Sequence, residues 1–236
     1  MKKTLASLLF VGSLLVLSKP AVAANKNAIF TGFNFGEDTS YIYLGGVSAL
    51  NGDIEKDGAL LRVGAGYGQY KYSAPAVEGN NVRGQVSSSD LMVGYQKNFT
   101  YGRIAFYAGG NYDNYKLNKN DEGNRVVGGK SGAKGQVELW LNPLQNLVLR
   151  NVTNYTSAYN SYWSQTFAGW NFGNFVFGPE VAFLGNRSYN QQRFGLGFSD
   201  IDLGLGKLSL AGGYMKSSGK AADDGAYASV GFSSKF

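Results

Sequence analysis

The stretch ALLRVGAGYGQYKY, residues 59–72, sets Leu61, Val63, Ala65 and Tyr67 on one side of an extended chain. It sets Arg62, Gly64, Gly66 and Gly68 on the other. A two-residue period with one oily flank and one small or polar flank is the signature of a β-strand. The same alternation recurs outward from it. DLMVGYQK opposes Leu91, Val93 and Tyr95 to Asp90, Gly94 and Gln96, and RIAFYAGGNY opposes Ile104, Phe106 and Ala108 to Arg103, Tyr107 and Gly109. GQVELWLN opposes Val137, Leu139 and Leu141 to Gln136, Glu138 and Trp140, with no helical interlude between these segments.

Extended to the whole chain, this reading predicts about twelve strands, near 28–36, 40–51, 59–72, 87–97, 103–115, 131–142, 147–156, 159–170, 175–184, 189–199, 207–216 and 225–236. Most are long enough to cross a hydrocarbon layer at a tilt, which takes about 9 to 11 residues. Strands of five or six residues would have pointed to a soluble sandwich. Every second connection is brief (52–58, 98–102, 143–145, 171–174 and 200–206), whereas 73–86 and 116–130 are long and polar. Short turns on the periplasmic side and longer outer loops are the arrangement of an outer-membrane barrel. The fold class read from the sequence is therefore all-β: a transmembrane, antiparallel, up-and-down barrel of the bacterial outer membrane, and its one partner fixed by physics is lipid. The aromatic C-terminal residue, Phe236, fits this class.

The N-terminus carries Lys2 and Lys3, an apolar run from Leu5 to Leu17 and the small-residue pattern Ala21-Val22-Ala23. This predicts a cleaved signal peptide over 1–23, followed by a single barrel domain over 24–236. The apolar run is about thirteen residues, too short for a spanning helix. Without Lys2, Lys3 and Lys19, 19 basic residues face 16 acidic ones. So mild and dispersed an excess excludes a nucleic-acid partner. The mean hydropathy of −0.19 suits a barrel, whose apolar residues fill only every second position. The chain has no Cys and no His, which removes disulfides, thiolate metal sites and the usual general base of hydrolases. No cofactor, metal site or catalytic residue is expected.

NGDIEKDG, residues 51–58, places Asp53, Glu55, Asp57 and Gly58 as in an EF-hand calcium loop. The bidentate Glu needed at the twelfth place is replaced by Gly64, inside a strand, so the stretch reads as a polar hairpin turn. The glycines of GAGYG lack the spacing and the following helix of a nucleotide site.

With the oily parity toward lipid, the opposite parity lines the lumen and gathers Arg62, Asp90, Arg103, Glu138, Arg150, Glu180 and Arg193. A hairpin closed at 185–188 would set Glu180 opposite Arg193, and a turn at 143–145 would set Glu138 opposite Arg150. Such pairs either neutralise one another in a narrow interior or form a selective constriction. Tyr43, Tyr70, Tyr107, Trp140 and Tyr162 share the inner parity and are candidate sugar contacts, since an aromatic ring offers an apolar face to a saccharide.

YLGGVSALNGDIEKDGALLRVGAGYGQYKY (43–72), FGPEVAFLGNRSYNQQRFGLG (177–197) and the closing GAYASVGFSSKF resemble the BcsS family of proteins associated with bacterial cellulose biosynthesis. The resemblance implies an envelope protein that accompanies production or secretion of cellulose or a related exopolysaccharide, in company with other cellulose-synthesis components. It brings no catalytic residues. The leading expectation is a non-enzymatic barrel assisting that process. A small-solute channel and an outer-membrane hydrolase are the alternatives.

Overall fold

A computed structural model describes residues 25–220 and 223–236; the expected signal peptide lies outside them. Twelve strands run in chain order: β1 (Asn27–Gly36), β2 (Thr39–Ala49), β3 (Gly58–Ser73), β4 (Asn81–Phe99), β5 (Gly102–Leu117) and β6 (Gly128–Leu144), then β7 (Leu147–Thr156), β8 (Ser161–Asn171), β9 (Val176–Gly185), β10 (Tyr189–Asp202), β11 (Lys207–Gly219) and β12 (Gly225–Lys235). Each pairs antiparallel with its sequence neighbours, and β12 pairs with β1, so the sheet closes into a barrel. The seam runs from Ala28 opposite Lys235 to Gly36 opposite Tyr227. It is locked at one end by reciprocal bonds between the backbones of Asn27 and Phe236, 2.7 and 2.9 Å long. Closure leaves no strand edge unpaired, which is the condition for a sheet to cross a bilayer.

The outward parity carries Ile42, Leu44, Val63, Leu91, Val93, Phe106, Phe194 and Leu196, all exposed on the barrel surface. The inward parity carries the glycines and the polar and charged groups, and this inside-out distribution is that of a transmembrane barrel.

Strands β3 to β6 are 16, 19, 16 and 17 residues long and rise above the rest of the wall. The sequence had assigned their upper parts to loops because NVRGQV and GGKSGA carry too few apolar residues to show the alternation. These strand ends stand beyond an apolar belt and are held by backbone pairing such as Lys71 with Arg83 and Asp113 with Lys130. The connections at this distal rim shrink accordingly to 74–80 and 118–127.

At the rim that carries the termini, NGDIEKDG is an inturned cap. Gln96 Nε2, buried on β4, donates to the carbonyls of Ile54 and Lys56 at 2.7 and 2.6 Å. These bonds draw Ile54 into a buried cluster with Ala49, Leu60, Met92, Ala105 and Tyr107. The acidic groups serve the turn: Asp53 Oδ1 accepts from the amide of Glu55, and Asp57 takes Lys97 and both nitrogens of Asn98. Lys97 and the Asn98 amide hold the Asp57 carboxyl down at about 2.

Leu91→Arg, which puts a charge into the outward belt, is expected to cost about 2–4 kcal/mol of stability in lipid vesicles. Urea unfolding of the reconstituted protein measures it, with Ser87→Arg, nearer the distal rim, costing less.

Candidate functional site: the barrel interior

The strands enclose a cavity of about 680 Å³. Its lining includes Arg62, Asp90, Arg103, Glu138, Arg150, Glu180 and Arg193, together with Tyr43, Tyr70, Tyr107 and Trp140. Tyr162 borders the cavity as well, but from the outward parity rather than the expected inward one. It pairs with Tyr155 on the outward parity and donates to Asn190 at 2.9 Å, while Trp163 takes the inward position. The turn at 157–160, where Tyr159 and Asn160 are both left-handed (φ 55° and 53°), has an even number of residues and carries the outward face of Tyr155 over to Tyr162.

Two registers also differ from expectation. Glu180 stands opposite Gly195 and Arg193 opposite Ala182. Glu138 stands opposite Val152 and Arg150 opposite Trp140. Each hairpin turns later than expected, and β6 contains an irregularity between Leu141 and Leu144. The slip is two residues, so every side chain keeps its face but changes its partner.

The actual partners are diagonal neighbours on the same or the next strand and residues two or more strands away round the wall. On the wall made by β3 to β6, Arg62 Nη1 donates to Asp90 Oδ1 at 2.6 Å, and its Nε lies 3.8 Å from Glu138 Oε1. Lys134 donates to the second oxygen of Asp90 at 2.7 Å, and Gln136 donates to Glu138 at 2.5 Å. Arg103 lies 4.0 Å above the Trp140 ring. On the facing wall, Gln165 donates to Glu180 at 2.8 Å and the Tyr227 hydroxyl does so at 3.2 Å. Arg193 donates to Gln191 at 2.9 Å and to Asn34 at 3.2 Å, and its guanidinium lies 5.5 Å from both the Trp163 and the Tyr227 rings. Nearer the termini, Asp200 binds Arg150 and, at 3.2 Å, Lys207.

Lys134, Gln165, Gln191 and Trp163 obey the inward alternation and could have been found from it. Asp200 could not. A bulge between Phe198 and Ile201 shifts the register there, and Asp200 takes a left-handed conformation (φ 59°). Bulges near sites re-aim a side chain in this way.

At the distal rim, residues 118–127 leave β5 and reach across the mouth. Asp121, 4% exposed, accepts from the Tyr72 hydroxyl at 2.8 Å and pairs with Lys220, beyond β11, at 2.9 Å. Asn124 donates to the Tyr72 oxygen at 2.9 Å and accepts from Ser188, between β9 and β10, at 2.8 Å. Val126 is buried against Ala158 and Tyr159 from the β7–β8 turn. Elements from four parts of the ring thus meet on one segment. The cavity lining runs up to this level at Tyr70, Tyr115, Tyr189 and Lys220, and elsewhere on the same rim to Thr39, Ser161 and Asn186.

The family model for cellulose biosynthesis protein BcsS matches residues 28–236. The chain belongs to the BcsS family. No curated protein matches it. Among solved structures, the β domain of the Bordetella autotransporter BrkA is similar with a TM-score of 0.50 and 13% identity, over 90% of this chain and all of that one. The translocator domain of NalP from Neisseria meningitidis gives 0.49 and 11%, over 92% and 90%. The KdgM porin gives 0.45 and 10%, over 89% and 99%. At such identities the likeness to BrkA shows the barrel architecture alone. This BcsS-family barrel is therefore linked to cellulose biosynthesis by its family, and its interior must be read from its own residues.

Arg62 is 9% exposed and holds both Asp90 and Glu138, so Arg62→Ala should cost about 3–5 kcal/mol by leaving Glu138 without a cation at ion-pair distance and Asp90 with Lys134 alone, read by urea unfolding. Burial by itself raises the pKa of Asp121, but Lys220, Tyr72 and the Gly123 amide together bring it below the ordinary carboxylate value. A depressed folded pKa gives stability that is complete above the unfolded value of about 3.9 and is lost as pH falls through the folded one. Amides of 118–127 should therefore be protected from hydrogen exchange at pH 7 and lose protection selectively toward pH 3.

Proposed function

We propose that this chain is a non-enzymatic barrel of the bacterial outer membrane that assists cellulose or related exopolysaccharide biosynthesis by holding the glycan in its interior. Residues 1–23 would direct export as a cleaved signal peptide. The rim that carries the termini, with its short turns, faces the periplasm as in other outer-membrane barrels, and there meets other cellulose-synthesis components. One observation carries the reading. In a BcsS-family chain the lumen is lined by mutually bound charges interleaved with aromatic rings, a surface that offers both hydrogen bonds and apolar faces to sugar rings.

The same pairing argues against catalysis. Asp90, Glu138 and Asp200 are engaged by Arg or Lys, Glu180 by Gln165 and Tyr227, and Asp113 by Asn111. A general acid or base needs a carboxyl group free to exchange its proton with substrate. There is no His in the chain to replace it.

Deletion of the gene in a cellulose-producing strain should lower secreted cellulose, measured by dye binding and by glucose release after cellulase digestion. Re-expression of the intact chain should restore it. Unchanged output on deletion would remove the proposal. Steady ion current through the purified protein in a planar bilayer would mark a small-solute channel instead, and release of shorter sugars from cellulose oligomers would mark a hydrolase.

A further inference from the structure

We propose that the distal rim carries a second site, a cavity lined by Arg125, Arg187 and Lys220 that binds a phosphate group. The proposal goes beyond the glycan reading of the interior and rests on other residues, so either can fail without the other.

The cavity, of about 480 Å³, lies where three connections meet. The 118–127 segment supplies Arg125, the β9–β10 turn supplies Arg187 and Ser188, and the end of β11 supplies Gly219 and Lys220. It adjoins the barrel interior at Lys220, which lines both spaces. Among the described residues, no acidic side chain belongs to its lining. Glu122, on the same segment as Arg125, is exposed and stands outside it. All 16 acidic residues of the chain are among the described ones, and none lies within ion-pair distance of Arg125 or Arg187.

The backbone holds these cations in place before any ligand arrives. The Arg125 amide donates to Ser188 Oγ at 3.3 Å, the Lys220 amide to the Ser188 carbonyl at 2.8 Å, and the Arg187 amide to the Tyr159 carbonyl at 3.1 Å. Gly219 has a φ of 81°, and the Ser188 carbonyl oxygen occupies the place its Cβ would take, so only glycine brings the end of β11 so near the β9–β10 turn. A site fixed in this way binds without the cost of ordering its loops.

Donors remain to be used. One nitrogen of the Arg187 guanidinium donates to Asn160 Oδ1 at 3.3 Å, out of five N–H bonds. The Lys220 ammonium has three, and the two Asp121 oxygens, at 2.9 and 3.3 Å, leave the third. Three positive side chains from distant parts of the chain thus converge on one concavity with a single carboxylate among them, and an incoming anion relieves their mutual repulsion. The directions of the donors select its kind. A planar carboxylate carries one charge and is satisfied by one guanidinium fork. A phosphate group carries a charge of about −1.5 to −2 and three acceptor oxygens, which suits donors arriving from three sides, two of them arginine forks.

Free phosphate and the phosphorylated headgroup of a membrane glycolipid present the same chemistry, and the test separates them. Phosphorus NMR of inorganic phosphate, titrated at low salt into the full mature chain in a phosphate-free detergent, should show saturable one-site binding. Arg125→Gln with Arg187→Gln should weaken it about tenfold or more, the loss expected with charge-assisted hydrogen bonds. Each single variant should weaken it less, with circular dichroism confirming the strands. Lys216→Gln, an exposed cation of β11 outside the lining, should leave binding unchanged. In the second arm, a phosphorylated glycolipid or its dephosphorylated form is added to the phosphate-loaded protein. Displacement by the phosphorylated form alone supports the site with lipid as its source, and displacement by neither supports it with soluble phosphate. Absence of binding, an equal loss in Lys216→Gln, equal competition by glucuronate, or displacement by both glycolipids alike would overturn the proposal.

Discussion

The pairing of β1 with β12 is the constraint on which the rest depends. In hydrocarbon no water is present to satisfy a backbone N–H or C=O, and each group left unpaired costs several kcal/mol. A sheet of this composition can therefore be stable in lipid only if its last strand bonds to its first. Nine consecutive residue pairs, from Ala28 with Lys235 to Gly36 with Tyr227, make that closure. Once closed, the sheet has an inside and an outside, and the two-residue period sorts every side chain to one or the other.

Closure also creates the interior problem that the charged residues solve. Arginine and glutamate side chains turned inward are removed from much of the surrounding water, and they persist only when partnered. The partners are rarely the residues directly opposite on the next strand. Arg62 on β3 reaches Glu138 on β6, Lys134 on β6 reaches Asp90 on β4, and Arg193 on β10 reaches Asn34 on β1. These chords brace distant staves of the barrel against one another and place the aromatic faces of Trp140, Trp163 and Tyr227 beside guanidinium groups. The interior is thus both a brace and the surface that any bound molecule must meet.

The two rims solve the same problem in different ways. Near the termini, one apolar residue, Ile54, is drawn inward by a single buried amide side chain, Gln96. At the far rim, a polar loop is fastened by Tyr72, Ser188 and Lys220, each from a different connection or strand. The taller wall of β3 to β6 gives that loop its starting height. The asymmetry gives the molecule a direction, with an apolar anchor at one rim and a polar network across the other.

The period of two in ALLRVGAGYGQYKY and its repeats determined the strand count, the barrel class and the inward placement of Arg62, Glu180 and Arg193, because parity is a local property that each strand carries in its own residues. The resemblance over 43–72 and 177–197 pointed to the family that the match over 28–236 then showed. What only the tertiary structure decided is which inward residues touch: the two-residue slips of the β6–β7 and β9–β10 hairpins, the bulge that aims Asp200 at Arg150, and the arm of 118–127 across the mouth. The physical reason is common to all of them. Turn length, bulges and chords across a lumen are relations between segments far apart in the chain, and no pattern within one strand encodes them.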